Sequence, residues 1–247
     1  MTIEYLGKGK VSIIMKDYLG ECIEVSGIKV SEGAKTPATK DLFVIDTNSP
    51  LLSEDKHNLF HHIVAKLLFM AKRARINIAL TIAFLCTRVS KSTEQDWNKL
   101  ARLLKYLHNT IDMPRILQAN DLTVLQTWVD ASYAVHADMK SHTGGCMSFG
   151  RGVFNVKSSK QKLNTKSSTE SEVVGASDYL PWVIWITHFM KYQGYTISTN
   201  IFYQDNESAM KLERNGLNSQ GEKSRHINIC YFFIKDDIKR EAIRIEH

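Results

Sequence analysis

The sequence predicts an α/β (α+β) protein: a mixed five-stranded sheet flanked by helices, preceded by a small region of strands and helices. Three observations carry this. Past Pro114, three β-branched and aromatic runs follow closely on one another, TVLQTWVDA, TGGCMSFG and VFNVKSS. A long helical stretch, the apolar run NIFYQD and two further helical stretches come next, before a last run, EAIRIEH. The order from residue 122 is therefore β-β-β-α-β-α-α-β, an antiparallel meander followed by β-α units.

Taken in order, residues 1–57 read as strands and turns. EYLGKGKVSIIM is a hairpin with Gly7 and Gly9 at its turn, and SEGAKTPATKD and DTNSPLLSEDK are loops. From His57 to Ser90 the pattern is helical, with Leu59, Ile63, Lys66, Leu67 and Met70 on one mostly apolar stripe. INIALTIAFLCTRV reads as a second, buried helix. SKSTEQDWNKLARLLKYLHNT is a third, capped by Thr93, with Trp97, Leu100, Leu104 and Leu107 at helical spacing. In the meander, Gly150 and Gly152 supply the turn before VFNVKSS. STESEVVGASDYLPWVIWITHFMKYQG is helical, and Pro181 inside it predicts a kink or break, since an interior proline costs roughly 3 kcal/mol. NESAMKLERNG is a helix ending at Gly216, and HINICYFFIKDDIKR is another.

Composition narrows the class. The chain has 247 residues, 43% hydrophobic and 23% charged, which suits one large or two medium globular domains. Its net charge of +6 leans towards a polyanionic partner. Cys22, Cys86, Cys146 and Cys230 are far apart and form no CxxC pair, so neither a zinc knuckle nor a disulfide framework is indicated, and a reducing compartment fits. MTIEYLGKGK lacks the apolar core of a signal peptide, and INIALTIAFLC is about half the length that spans a bilayer. The expectation is an intracellular chain without a membrane segment. There is no internal repeat.

Three carboxylates fall at positions where an α/β sheet binds ligands, outside the strand ends. Asp130 closes the first strand of the meander, Asp205 closes NIFYQD, and Glu172 lies in the first turn of the long helix. If the first and fourth strands are neighbours, these acids meet, repel one another and call for a divalent cation. Two such ions about 4 Å apart can activate a water and stabilise the leaving oxygen of a phosphodiester. Each acid also has a plainer reading. Asp130 can begin a turn, Asp205 can cap the following helix, and Glu172 can close a capping box with Thr169.

From Met139 to Thr169 there is no acidic residue, while Lys140, Arg151, Lys157, Lys160, Lys162 and Lys166 lie within that span. With Ser159 and Gln161 among them, this stretch can grip phosphates, or it can be a solvated hairpin edge whose lysines deter edge pairing. Trp182 and Trp185 read as core residues. His136, His142 and His226 form no recognisable metal-ligand pattern.

The blocks VDASYAVHADMKSHTGG, SSKQKLNTKSSTESE, YQDNESA and SRHINICYFF closely resemble, in order and spacing, the ribonuclease H domain that ends copia-type LTR retrotransposon Pol polyproteins. HHIVAKLLFMAKRARINIALTIAFLCTRV and DWNKLARLLKYLHNT resemble the tail of the reverse transcriptase before it. The resemblance implies a ribonuclease H-like domain over residues 122–247, and a reverse-transcriptase thumb- or connection-like remnant over 1–121. It implies an endonuclease that hydrolyses the RNA strand of an RNA–DNA hybrid with two Mg²⁺ ions, or Mn²⁺ in their place. Asp130, Glu172 and Asp205 would be the catalytic and metal-binding acids, with Asp130 bridging both ions. Arg151, Lys157, Ser159, Lys160, Gln161, Lys162 and Lys166 would bind the hybrid. The other implied partner is the polymerase core of the polyprotein, and the implied location is cytoplasm, virus-like particle or nucleus. The pattern departs from the family in three places. A fourth carboxylate expected in a helix after the last strand is not reached before His247, no Y-x-D-D block is present, and Arg75-Ile76-Asn77-Ile78 replaces R-P-D-I. These departures make a catalytically dead, nucleic-acid-binding remnant the alternative.

Overall fold

The computed structural model describes residues 1–31, 33–215 and 234–247. They form two compact units, Met1–Ile116 and Leu117–His247.

The first unit opens with the expected hairpin. β1 (Thr2–Tyr5) and β2 (Lys10–Ile14) pair antiparallel, and Gly7, Lys8 and Gly9 all have positive φ in the turn, where two glycines remove the steric cost. The next element is a correction: residues expected as strands and turns form a helix, α1 (Lys16–Ser26). Leu19, Cys22 and Ser26 face inward at helical spacing, and Gly27 ends the helix in the left-handed region. A glycine within the helix, Gly20, and a short apolar stripe weakened that signal.

The helical region is α2 (Glu54–Arg73), a 3-10 turn (Ile76–Ile78), α3 (Ala79–Cys86) and α4 (Glu94–Asn109). Phe60, Ile63, Leu67 and Met70 of α2 bury against Ile82 and Leu85 of α3 and Leu100, Leu104 and Leu107 of α4. Thr93 caps α4 in a reciprocal capping box with Asp96, whose carboxylate also meets Arg88 at 3.1 Å. Arg75 is buried and donates to Thr110, while Asn77 accepts from Arg75 Nε at 3.2 Å and donates to the Tyr106 hydroxyl at 2.6 Å. The Arg75-Ile76-Asn77-Ile78 segment is thus hydrogen-bonded into the core.

β3 (Arg115–Ala119) runs across the division between the units, and the second unit holds β4 (Val124–Ser132), β5 (His142–Ser148), β6 (Gly150–Arg151), β7 (Asn155–Lys160), α5 (Ser168–Tyr192), β8 (Thr199–Tyr203), α6 (Glu207–Asn215), residues 234–240 as α7, and β9 (Ile243–Glu246). Its five-stranded sheet runs β7-β5-β4-β8-β9. The first three strands pair antiparallel, and β4–β8 and β8–β9 pair parallel, so the sheet is mixed as the element order predicts. β6 is a short extra strand that pairs with β3 after the Gly150 turn. α5 packs on β4 and β5, with Val173, Ala176, Tyr179 and Leu180 buried against Leu125, Val129 and Met147.

Of the kink or break expected at Pro181, the break does not occur: α5 is helical from Ser168 to Tyr192, because packing along its buried side outweighs the one backbone bond that proline cannot donate. Trp182 and Trp185 are not core: they are 47% and 57% exposed, on the side of α5 turned away from the sheet. Gly216, His226, Cys230 and the whole SRHINICYFF block lie outside the described residues. Among the described residues, no helix is long and apolar enough to cross a membrane.

Candidate metal centre

β4 and β8 are parallel neighbours, with Val124 to Trp128 opposite Thr199 to Tyr203, so their carboxyl ends lie side by side. Asp130 stands on β4 two residues before its end, opposite Gly144 of β5. Asp205 lies two residues past the end of β8. Glu172 comes from α5, which must lie close to the sheet to reach this corner.

Of the two glycines at this contact, Gly145 is the one that permits the approach. A Cβ on Gly145 of β5 would stand 2.5 Å from the Tyr179 ring of α5, a contact no side chain tolerates. Gly175 of α5 leaves only ordinary contact distances, 3.4 Å, between its vacant Cβ position and Ala131 and Thr143. Gln161 adds a polar tie: its buried amide donates to Thr143 Oγ1 at 2.9 Å and to the Ser171 carbonyl at 2.8 Å, next to Glu172. Gln161 therefore anchors α5, and its burial removes it from the phosphate-gripping group predicted from sequence.

The result brings the three acids together. One carboxylate oxygen each from Asp130, Glu172 and Asp205 lies within 4.8 Å of the others, with Asp130 and Asp205 exposed and Glu172 buried. None of the plainer roles is filled. α5 is capped by Ser167, which accepts from the Glu170 N–H, so Glu172 closes no capping box. α6 is capped by Asn206, which accepts from the Ala209 N–H, so Asp205 is not the cap. β4 continues past Asp130, so no turn begins there.

Electrostatics follow from this crowding. Burial pushes the Glu172 carboxyl up to about 8, and the negative charges of Asp130 and Asp205 add to the rise. The Ala131 backbone N–H and the Gln204 amide oppose it. Glu172 Oε2 is buried and closes no hydrogen bond among the described residues. Three hard oxygen donors and an unsatisfied buried oxygen suit a small divalent cation.

The basic stretch divides. Lys157 Nζ donates to the Asp178 carbonyl at 2.8 Å, and Lys160 pairs with Asp138 at 2.7 Å; both lie on the edge strand β7 with Ser159. Arg151, Lys162 and Lys166 are exposed. Sequence reasoning missed a histidine pair. His136 Nε2 and His142 Nδ1 lie 3.1 Å apart, and His142 Nε2 lies 2.8 Å from Ser158 Oγ. Both are buried, and desolvation lowers both, His142 to about 4. The only signal was the paired position of the two imidazoles around the β4–β5 turn, which spacing alone does not reveal.

No family model matches the chain. Sequence relatives are informative. The chain is 23% identical over 241 residues to the retrovirus-related Pol polyprotein from transposon TNT 1-94 of Nicotiana tabacum, covering 96% of this chain and 18% of that protein. It is 27% identical over 190 residues to the Pol polyprotein from transposon RE2 of Arabidopsis thaliana, covering 76% and 13%. It is 25% identical over 180 residues to a transposon Ty5-1 protein of Saccharomyces cerevisiae, covering 72% and 58%.

This chain is a relative of retrotransposon Pol polyproteins. It spans less than a fifth of the two plant Pol proteins. Among solved structures, a foamy viral protease–reverse transcriptase in complex with double-stranded DNA aligns with 98% of this Pol-related chain and 37% of its own, at 11% identity and a TM-score of 0.49. A ribonuclease H1 isolated from compost aligns with 51% of this chain and 84% of its own, at 8% identity and a TM-score of 0.37.

Proposed function

We propose that residues 122–247 are a ribonuclease H-like domain of a retroelement Pol polyprotein, that residues 1–121 are the tail of its reverse transcriptase, and that the domain hydrolyses the RNA strand of RNA–DNA hybrids. The observation that carries this reading is the convergence of Asp130, Glu172 and Asp205, from a strand, a helix and a strand end, to within 4.8 Å. These residues would hold a pair of Mg²⁺ ions, or Mn²⁺ in their place. When bound, the ions supply an activated water and charge stabilisation for the leaving 3′-oxygen. Asp130 and Asp205 offer exposed carboxylates at the open edge, and Glu172 closes the site from the helix side. Arg151, Lys162 and Lys166 contribute charge along the same unit for hybrid phosphates.

The test is cleavage of an end-labelled RNA–DNA hybrid in Mg²⁺ by the wild-type chain and by Asp130→Asn. Loss of an outer-shell partner of a metal ligand costs about 10–100-fold, so loss of a ligand itself should cost at least about 100-fold. Equal cleavage by both proteins overturns the assignment. A second reading, a non-catalytic hybrid-binding module, rests on the same exposed cations. Salt-dependent hybrid binding by a wild-type chain that does not cleave would establish it.

A further inference from the structure

The outer side of α5 carries an aromatic stripe that the proposed chemistry does not use. Trp182, Trp185, Phe189 and Tyr192 are spaced three, four and three residues apart, the spacing of a coiled-coil seam. All four are exposed, at 47%, 57%, 42% and 87%, while Val173, Ala176, Tyr179, Leu180 and Val183 of the same helix are buried. The stripe is one continuous surface. The rings of Trp185 and Phe189 stack at 5.2 Å, and residues three or four apart are neighbours on a helix. A run of large rings left in water marks a surface that another molecule covers.

The chemistry of the stripe selects the partner. From Tyr179 to Met190 there is no Asp, Glu, Lys or Arg. A nucleic acid lying here would find no cation on this stretch for its phosphates, and those contacts supply most of such binding. A seam of this spacing fits another helix with the same spacing, knobs into holes. A second copy of this chain brings one. The four residues leave the equivalent of more than two whole aromatic side chains in water, about 450 Å² at about 200 Å² each. Two copies face to face would remove about 900 Å² from these rings alone. Pro181 and Gln193, exposed beside them, carry the total to the roughly 1,000 Å² that a specific interface needs. The stripe also complements itself. Asp178 is exposed four residues before Trp182 on the same line, and Trp185 stands seven residues from both Asp178 and Tyr192. In an antiparallel pair centred on Trp185, each Asp178 carboxylate meets the Tyr192 hydroxyl of the other copy, which donates to it. A parallel pair would set Asp178 against Asp178, and like charges oppose that arrangement.

We propose that this side of α5 is a homodimer interface, at which two copies of the chain pair antiparallel along a seam from Asp178 to Tyr192, about 21 Å long, with Trp185 on the two-fold axis. The pairing uses none of the three acids, so it stands independently of the metal-binding reading.

The test is analytical ultracentrifugation of the full chain, from micromolar to hundreds of micromolar. The 28.1 kDa chain should shift to a species of twice that mass and stop there, because a two-fold interface closes on itself. Trp185→Glu and Trp185→Lys should each weaken association at least about 30-fold, as loss of a central aromatic anchor does, with unfolding midpoints in dilute solution unchanged. Mixing the two variants should restore association, because a residue on the two-fold axis faces its own copy and the mixed pair sets opposite charges together. A chain that stays monomeric throughout overturns the proposal, as does open-ended assembly or a dimer that both variants leave intact. A mixture that associates no better than its components overturns the register centred on Trp185. Hybrid binding that Trp185→Glu abolishes, in a chain that stays monomeric, assigns the stripe to nucleic acid instead. Should the variants fail to fold, the unmodified chain decides. Its tryptophan emission should shift to the blue with concentration as Trp182 and Trp185 leave water, and unchanged emission overturns the proposal.

Discussion

Glu213 makes a prediction that needs no metal. Burial raises its carboxyl to about 7, from an ordinary value of 4.5. A carboxyl whose folded value lies above its unfolded value holds a proton in the folded state that the unfolded chain has released. Its stabilising contribution is therefore full below about pH 4.5 and is lost as pH rises through 7. The shift corresponds to roughly 3 kcal/mol. Glu213→Gln, which cannot ionise, should raise metal-free stability at pH 8 by up to that order and leave stability at pH 4.5 nearly unchanged. Urea unfolding at the two pH values measures this, and equal changes at both would show that packing rather than ionisation governs the site.

At the scale of elements, the placement of α5 on the sheet decides whether Glu172 reaches the other two acids. Gly145→Ala would drive a methyl into Tyr179 at 2.5 Å, and overpacking of this kind costs about 1–3 kcal/mol. Gly175→Ala meets neighbours only at 3.4 Å and gains helix propensity, so its net effect should stay within about 1 kcal/mol. Thermal unfolding of the two variants checks the ordering, and a larger loss for Gly175→Ala would refute this account of the packing. The same elements show what the sequence could reveal. β4, β5, β7 and β8 were legible because their β-branched runs sit between turn residues, and α4 because Thr93 announces its start. The convergence of the three acids followed from strand order, which the β-α alternation suggests. α1 was missed because its apolar stripe is short and contains Gly20. The exposure of Trp182 and Trp185 was hidden because α5 is apolar nearly all round, so periodicity could not say which side meets the sheet. Gln161 looked like a phosphate donor because only the packed structure shows its amide spent on Thr143 and Ser171.

The whole molecule combines groups of opposite sign. The buried His136 and His142 are both lowered below 6.5 by desolvation, His142 to about 4. Here the unfolded chain binds the proton first, so their stabilising effect is present above about pH 6.5 and lost as pH falls towards 4. Glu213 and Glu172, raised to about 7 and about 8, act in the other direction and weaken the metal-free fold as pH rises from about 4.5. The two limbs overlap between about pH 4.5 and 6.5, so the metal-free chain should be most stable in mildly acidic solution and lose stability on both sides. A divalent cation changes only one limb. It binds the ionised form of Glu172, so it removes part of the alkaline loss and leaves the histidine limb alone. Unfolding midpoints measured from pH 4 to pH 9, with a chelator and with excess Mg²⁺, should therefore coincide below about pH 5 and diverge increasingly above pH 7. An equal Mg²⁺ effect at every pH would mean that the ion is not displacing a proton from this carboxylate cluster, and would separate cation binding from the site formed by Asp130, Glu172 and Asp205.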